Sequence, residues 1–208
     1  MSYITCHDNY CLRDRIEVSA ANETELTKIR MNKLAQTAVL VSQGMTFIYG
    51  GEELYRTKLG IDNSYQSPDS INIIPWENKQ KYNDLYEYYR QMIQIRRRHK
   101  GFRLGSTQSV NQHFDFLPTH SASSEESASK AESESFVAFR IKDLQGIDSA
   151  KSLVVLLNGG AEPIEANIPM GEYMVLAADG KANVNGLATF SEMQITVAPY
   201  SATILAEK

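Results

Sequence analysis

The chain has 208 residues, of which 42% are hydrophobic and 22% are charged, and its formal net charge is −4 at pH 7. This length and composition are typical of a folded protein with one or two domains and a sizeable core. The weak negative charge gives no support for nucleic-acid binding, and no apolar run approaches the length of a membrane span. Met1 leads almost directly into the first predicted strand, so no signal peptide is expected, and the sequence leaves the cellular location open.

The first predicted strand, residues 3–5, is a short run of β-formers that ends in His7, Asp8 and Asn9. In a parallel α/β barrel, side chains at the C-terminal end of a strand point into the active-site mouth. A carboxylate beside a ring that can donate hydrogen bonds is suited to binding sugar hydroxyls and to stabilising a developing positive charge. Taken alone, a His-Asp pair is also typical of a surface or capping role.

The two cysteines, Cys6 and Cys11, are close enough for a disulfide but lack the paired spacing of a zinc site. We interpret both as buried thiols near the strand end, and the sequence predicts no metal ion or cofactor.

A helix is predicted next, after a polar stretch at residues 13–15 that is predicted as a loop. Asn22 and Glu25 are suited to its first turn as a capping box, and apolar residues then recur at helical spacing as far as Val41. Residues 45–49 predict a second strand, so this part of the chain is predicted as strand, helix and strand with the two strands parallel.

A long polar loop containing Glu52 and Glu53 follows the second strand, and loops of this length are usually functional. A second helix is predicted over residues 79–99. Its basic end complements the helix dipole, which is a simpler explanation than an anionic partner.

From Phe102 onward the hydrophobic period changes from about 3.6 to 2, which predicts many short strands in an antiparallel sandwich. A Ser- and Glu-rich segment at about 118–135 is predicted as a solvated insertion between two strands. The strand candidates are residues 106–110, 136–141, 153–157, 164–168, 173–177, 188–190, 193–197 and 202–205.

Three stretches resemble motifs of the α-amylase superfamily of glycoside hydrolases. Residues 3–9 (YITCHDN) resemble the end of the seventh barrel strand, which carries a His-Asp pair, and residues 42–53 (SQGMTFIYGGEE) resemble the eighth strand. The loop after it is similar to that of type I pullulanases, with RTK at 56–58, NSY at 63–65, SPD at 67–69, IN at 71–72 and Trp76. The resemblance is to the C-terminal portion of such an enzyme and is specific to about residue 101.

The resemblance implies an α+β chain with two parts. Residues 1–101 would form a partial (β/α) barrel segment, strand-helix-strand-helix, which is the end of the catalytic (β/α)8 barrel. Residues 102–208 would form the antiparallel β-sandwich domain that follows the barrel. Barrel surfaces left without their neighbours would favour self-association of the chain.

The resemblance also implies a function: the full-length parent would hydrolyse α-1,6-glucosidic bonds in pullulan, starch or glycogen with retention of configuration. Asp8 matches the carboxylate that stabilises the transition state, and His7 matches a sugar-binding histidine. Asn9, Asn63 and Tyr65 fall where pullulanases line the substrate cleft. The implied partner of the parent is therefore an α-glucan, with no nucleic acid, membrane or cofactor involved.

The chain alone is expected to be inactive, because the family's nucleophile and acid/base follow barrel strands that this sequence lacks. Glu52 and Glu53 are a poor substitute pair, because adjacent side chains on an extended chain point in opposite directions. Two alternatives stay open. One is a non-catalytic α-glucan-binding protein, which a row of exposed aromatic residues on the sandwich would support; the candidates are Phe102, Phe114, Phe116, Tyr173 and Tyr200. The other is a piece of an α-1,4-acting amylase or a branching enzyme.

Overall fold

The computed structural model describes residues 1–118 and 135–208. Helices dominate the first half and antiparallel strands the second, which confirms the predicted α+β class. The core of the predicted insertion, residues 119–134, lies outside the described residues. None of the described helices has the length and apolar character needed to cross a bilayer. The helices are α1 (Leu12–Ser19), α2 (Glu25–Val41), α3 (Asp69–Asn72), α4 (Asn78–Lys81), α5 (Asn83–Arg98) and α6 (Thr107–His113). The strands are β1 (Phe114–Phe116), β2 (Phe136–Ile141), β3 (Leu153–Asn158), β4 (Ile164–Asn167), β5 (Tyr173–Ala178), β6 (Lys181–Ala182), β7 (Ala188–Phe190), β8 (Gln194–Val197) and β9 (Ser201–Glu207).

The predicted strands of the first half are not formed as strands. The only strand-type pairing between these segments is a parallel bridge between Ser2 and Thr46, with hydrogen bonds from Ser2 N to Met45 O (2.8 Å) and from Phe47 N to Ser2 O (3.0 Å). Parallel strands normally lie inside a sheet whose two faces are covered. Within the described residues this pair has no further strand beside it, so the ladder does not extend.

The helix predictions needed three corrections. The helix predicted to open at Asn22 is α2, and it begins after Thr24. The Thr24 hydroxyl caps it by accepting the hydrogen bond from Thr27 N at 3.1 Å. The predicted helix over 79–99 is divided into α4 and α5 at Tyr82, whose φ of −112° and ψ of 39° are not helical. The loop predicted around residues 13–15 belongs to helix α1.

The strand predicted at residues 106–110 is wrong, because this segment is part of helix α6. Ser106 accepts a hydrogen bond from Ser109 N at 3.1 Å and so caps the helix. The other seven predicted strands are confirmed as β2, β3, β4, β5, β7, β8 and β9, with ends that differ by at most a few residues.

Two antiparallel sheets make up the second half. The larger sheet has seven strands in the order β1-β2-β3-β9-β5-β6, with β7 also paired to β5, and β4 and β8 form a separate two-stranded sheet. Strands β3 and β9 lie at the centre and pair in continuous register from Leu153 opposite Ala206 to Asn158 opposite Ser201. Strand β3 is buried on both faces, since Leu153, Val154 and Leu156 are completely inaccessible.

Each face of the large sheet packs in a different apolar cluster. One cluster lies between the seven-stranded sheet and the two-stranded sheet and includes Phe136, Leu156, Tyr173 and Val197. The other cluster joins the opposite face to helices α2 and α5. Its members include Leu40, Tyr89, Ile95, Phe102, Phe139, Leu153 and Ile204. The helical half therefore packs directly on the sheet. The connection between the two halves, near residue 101, is covered by buried side chains such as Phe102.

Candidate functional site

The side chains of His7 and Asp8 lie on the surface, on a turn between the parallel bridge and helix α1. Both side chains are 81% exposed, and His7 Nε2 lies 3.5 Å from Asp8 Oδ1. We call residues 6–9 the first site loop. Its imidazole and carboxylate are adjacent and free to meet a ligand from solvent.

Asn9 ends this loop in a left-handed conformation, with a φ of 67°. Asparagine tolerates this region better than most residues with a side chain. The Asn9 side-chain oxygen accepts a hydrogen bond from Tyr10 N at 3.2 Å. The turn thus changes the direction of the chain directly after Asp8.

A buried lysine connects the first site loop to the segment after the second predicted strand. The Lys58 ammonium donates hydrogen bonds to the carbonyl oxygens of Asn9 (2.8 Å), His7 (3.3 Å) and Asp62 (3.3 Å). We call residues 57–67 the second site loop. It carries Asn63 and Tyr65, so this lysine brings together the two segments that hold all five predicted site residues.

Asp14 fixes the start of the second site loop. Its buried carboxylate accepts hydrogen bonds from Lys58 N (2.7 Å), from the Thr57 hydroxyl and from the Cys11 thiol (3.1 Å). Helix α1 and the second site loop are thereby held together by one side chain.

Asn72 organises the far end of the second site loop. Its amide nitrogen donates to Ser64 O (2.7 Å) and Ser67 O (3.1 Å), and its amide oxygen accepts from the Ser64 hydroxyl at 2.8 Å. Ser64 is buried, whereas the neighbouring Asn63 and Tyr65 are exposed, Tyr65 to 78%. The loop therefore points its amide and phenol side chains outward from a fixed backbone.

Glu52 and Glu53 do not form a catalytic pair in this structure. Glu52 is buried and accepts a hydrogen bond from the Thr5 hydroxyl, while Glu53 accepts one from Gly51 N at 3.1 Å. Burial raises the pKa of Glu52 to about 7, with the Thr5 hydrogen bond opposing the shift and the charge of Glu53 adding to it. Glu52 thus anchors the segment before the first site loop from inside the protein.

The donor atoms of Cys6, His7 and Asp8 all lie within 4.8 Å of one another, the spacing at which a metal ion could bind. The positive Lys58 ammonium bonds the backbone on both sides of Asp8, which opposes a cation there. Both cysteines are free thiols, but only Cys11 is buried as predicted, since Cys6 is partly exposed. Burial raises the pKa of Cys11 to about 11. We assign no metal to this cluster.

A glucan-binding row of aromatic residues on the sheet is not supported by the residues considered for it. Phe102 and Tyr173 are completely buried, and Phe114 stacks on Phe139 with ring centroids 4.8 Å apart. Phe116 is exposed, but its ring meets Phe114 edge to face rather than extending a flat surface.

Comparison with known proteins gives a consistent result. The family model for the pullulanase all-beta domain matches residues 127–181. A pullulanase from Bacillus subtilis (strain 168) is 30% identical over 169 residues, which is 81% of this chain. The structure of a pullulanase from Bacillus acidopullulyticus superposes over 99% of this chain with a TM-score of 0.87 and 31% identity. This chain is similar to one part of the pullulanases.

The similarity covers only part of those proteins. The chain spans 22% of the Bacillus subtilis pullulanase sequence and 24% of the Bacillus acidopullulyticus pullulanase structure. A type I pullulanase structure from Bacillus subtilis, solved in complex with maltose, superposes with a TM-score of 0.86 and 28% identity. An isoamylase from Flavobacterium sp. is 24% identical over 147 residues. The predicted resemblance to pullulanases is confirmed.

Sequence reasoning missed the side chains that hold the site. Lys58, Asp14 and Asn72 are polar residues whose importance comes from burial and from partners far along the chain. Lys58 and Asn72 both lie in stretches that resemble the pullulanase loop, RTK at 56–58 and IN at 71–72, but nothing in these stretches indicated a buried ammonium or a buried amide network.

Proposed function

We propose that this chain supplies part of the α-glucan site of a pullulanase-type glycoside hydrolase. Residues 1–101 would be the end of the catalytic barrel, with the bridge between Ser2 and Thr46 as the remnant of two neighbouring parallel barrel strands. Residues 102–208 would be the all-β sandwich domain that follows it. The whole enzyme would cleave α-1,6-glucosidic bonds with retention of configuration.

The single observation that carries this proposal is the contact of both site loops with Lys58. It supports a shared surface on which Asp8, His7 and Asn9 stand beside Asn63 and Tyr65. An exposed carboxylate, imidazole and amides offer hydrogen bonds to sugar hydroxyls, and an exposed phenol ring offers an apolar face to a pyranose.

In the proposed mechanism Asp8 acts on the transition state. The sugar develops positive charge at the anomeric centre as the bond breaks, and a carboxylate fixed nearby stabilises that charge more than it stabilises the ground state. His7 and the amides hold the sugar hydroxyls. The nucleophile and the acid/base would come from barrel segments beyond the residues of this chain, since Glu52 is buried and bonded to Thr5.

Titration of the ¹⁵N-labelled chain with maltotriose, followed by NMR, tests the binding part of this proposal. We expect amide shifts in both site loops and none in β4 and β8. Cellotriose, which has the same number of glucose units in β-linkage, is the control and should give smaller shifts. A maltotriose response confined to the sheet, or none at all, would contradict the proposal.

The activity of the chain itself is tested with pullulan and an assay for released reducing ends at high protein concentration. We expect no turnover, because a retaining glycosidase needs two carboxyl groups in addition to Asp8. Turnover that is lost in Asp8→Ala would show that the chain holds a complete site.

We also propose that the chain associates with itself through the uncovered surface of the parallel bridge. Tyr3 and Phe47 pack edge to face there with centroids 6.2 Å apart, and both rings and the neighbouring Met45 are exposed. Light scattering should show dimers or larger species whose fraction falls in Phe47→Ser. A strict monomer at high concentration would contradict this.

A further inference from the structure

Lys58 is the side chain on which the two site loops depend. It is completely buried, although the loops that it joins carry exposed side chains. Burial of an ammonium group is unfavourable unless its donors are satisfied. The three donors of Lys58 have three carbonyl partners, and its own amide is bonded to Asp14 at 2.7 Å.

The partners of Lys58 differ from those of the other buried lysines. Lys28 is paired with the carboxylate of Glu17 and Lys33 with that of Asp84, so each meets a negative charge. The Lys58 ammonium instead meets the carbonyls of His7, Asn9 and Asp62. A cation placed on backbone carbonyls fixes the course of the main chain rather than neutralising another side chain.

The two carbonyls of the first site loop lie on either side of Asp8. The held His7 carbonyl fixes the peptide plane directly before Asp8, and the held Asn9 carbonyl fixes the plane between Asn9 and Tyr10. The backbone of Asp8 and Asn9 is thus fixed at both ends, which limits the direction of the Asp8 Cα–Cβ bond. The left-handed φ of Asn9 is kept by the same contact. The other contact to this backbone is weak, since the Cys6 thiol lies 3.8 Å from Asp8 O.

The third carbonyl belongs to Asp62, directly before Asn63. One ammonium therefore sets the spacing between the loop of Asp8 and the loop of Asn63 and Tyr65. Groups that act on a substrate must be held to within a fraction of an ångström, and a misplacement of about 1 Å can cost on the order of 10²-fold in rate.

We propose that Lys58 is a positioning residue for the sugar site, orienting the Asp8 carboxylate and holding the second site loop beside it. This inference rests on the proposed function for its substrate class, an α-glucan. The geometric part concerns only this chain and can be measured without any ligand.

The test compares three variants of the chain by NMR. Lys58→Met keeps the length of the side chain but removes the donors, and Lys58→Arg keeps the charge and the donors. Lys33→Met is the matched control, because Lys33 is also buried and also donates to a carbonyl, that of Gly180, at 2.8 Å.

We expect Lys58→Met to abolish the Cα and Cβ chemical-shift signature of a positive φ at Asn9 and to shift the amides of both site loops. Its dissociation constant for maltotriose should rise about tenfold or more, since the loops are no longer held. Lys58→Arg should restore most of the affinity. Lys33→Met should lower the melting temperature and leave the Asn9 signature and the affinity unchanged.

An unchanged Asn9 signature in folded Lys58→Met would overturn the inference, as would an equal change in Lys33→Met. Maltotriose affinity equal to that of the unaltered chain would also overturn it. If the unaltered chain shows no response to maltotriose, the proposed function fails, and the Asn9 signature still decides whether Lys58 orients the loops.

A measurement on the unaltered chain covers the case in which Lys58→Met does not fold. The Lys58 ammonium protons should show nuclear Overhauser contacts to the backbone protons of Asn9 and Tyr10 and should exchange slowly with water. Rapid exchange and the absence of these contacts would contradict the proposed role.

Discussion

The central sheet and the two site loops are held together by different kinds of interaction. Strands β3 and β9 are buried over nearly their whole length by apolar side chains. The site loops expose most of their side chains. Their backbone is held by hydrogen bonds to a few polar side chains in the interior, chiefly Lys58, Asp14 and Asn72. The stability of the sheet is therefore spread over many contacts, whereas the shape of the site depends on a few.

This difference sets how each region responds to change. Loss of an apolar group removes a share of burial energy in proportion to its area. Loss of one partner of a buried hydrogen bond leaves the other unsatisfied, so the local geometry fails even when the rest of the fold remains. Substitutions in the sheet should alter stability and spare the site, and those at the site should do the reverse.

The largest effect on stability is expected for Leu156→Ala in strand β3. Leu156 is completely buried, so the substitution leaves a cavity and should lower the free energy of unfolding by about 2–5 kcal/mol. Val137→Ala is the control, because Val137 is 42% exposed on the neighbouring strand and should cost far less. Urea denaturation measures both. Amide shifts in the site loops of the folded Leu156→Ala variant would contradict the separation of the two regions.

Asp8→Asn is expected to lower the catalytic rate and to leave the stability unchanged. In a longer protein that joins this chain to the catalytic carboxylates, the rate should fall by on the order of 10²–10³. The melting temperature should stay the same, because the Asp8 side chain is 81% exposed. A variant that kept more than about a tenth of the turnover would contradict the role of Asp8 in the transition state.

A buried contact between His99 and Asp148, which joins the two halves, gives a pH-dependent prediction. His99 Nδ1 lies 2.8 Å from Asp148 Oδ1, and the carboxylate also accepts hydrogen bonds from the amides of Gly101 and Ala150. Burial alone would raise the pKa of Asp148, but the hydrogen bonds from His99 and the two amides outweigh it and lower the pKa to about 2.

Because this pKa is lower in the folded than in the unfolded chain, the carboxylate stabilises the fold above about pH 4. The contribution, roughly 2 kcal/mol, is lost as the pH falls from about 4 to 2. Asp148→Asn should remove it at pH 7 and flatten the acid branch of a plot of stability against pH. Asp179→Asn, which breaks an exposed pair with Arg30, should change little. An acid branch unchanged in Asp148→Asn would contradict this assignment.

The smallest effect is expected for Leu59→Gly, within the second site loop. Leu59 is exposed and has a φ of 53°, which is unfavourable for a residue with a side chain. Glycine removes that cost but has more freedom in the unfolded chain, so a net gain of about 0.5 kcal/mol is expected. Leu26→Gly, in helix α2, should instead lose about 1 kcal/mol. A loss of stability in Leu59→Gly, measured by thermal denaturation, would show that the leucine side chain makes contacts that matter.

The spacing of apolar residues predicted helix α2 and seven of the strands correctly. In β2, β3, β5 and β9 these residues form the buried faces. The buried face of α2 is instead largely polar and includes Asn32, Lys33 and Gln36, so the apolar pattern located this helix without identifying its buried face. The sequence pattern does not indicate helix α1, because its polar Asp14 is buried. It predicts a strand in place of α6, because Ser106 and Ser109 fit a strand pattern although they form the capped first turn of the helix.

The candidate site was located in the sequence by its motif, and its geometry could not be predicted from it. His7 and Asp8 are adjacent in the sequence, so their proximity was expected. The link from Asn9 to Asp62 runs through Lys58, and a contact of this kind between distant residues has no periodic signal. The two strands predicted before Asp8 and Gly50 are not formed, and only one parallel bridge is present in their place. Their formation depends on neighbouring strands rather than on local propensity.

The burial of Lys58 also makes it a chemical reporter of local opening. Its amine is inaccessible to solvent while the loops are closed, whereas Lys181 is exposed on the sheet. An amine-selective acylating reagent should therefore modify Lys181 readily and Lys58 only during moments when the two loops separate. The ratio of the two rates, read by peptide mass spectrometry, gives the fraction of time that the loops spend apart, and a ligand that bridges them should lower it.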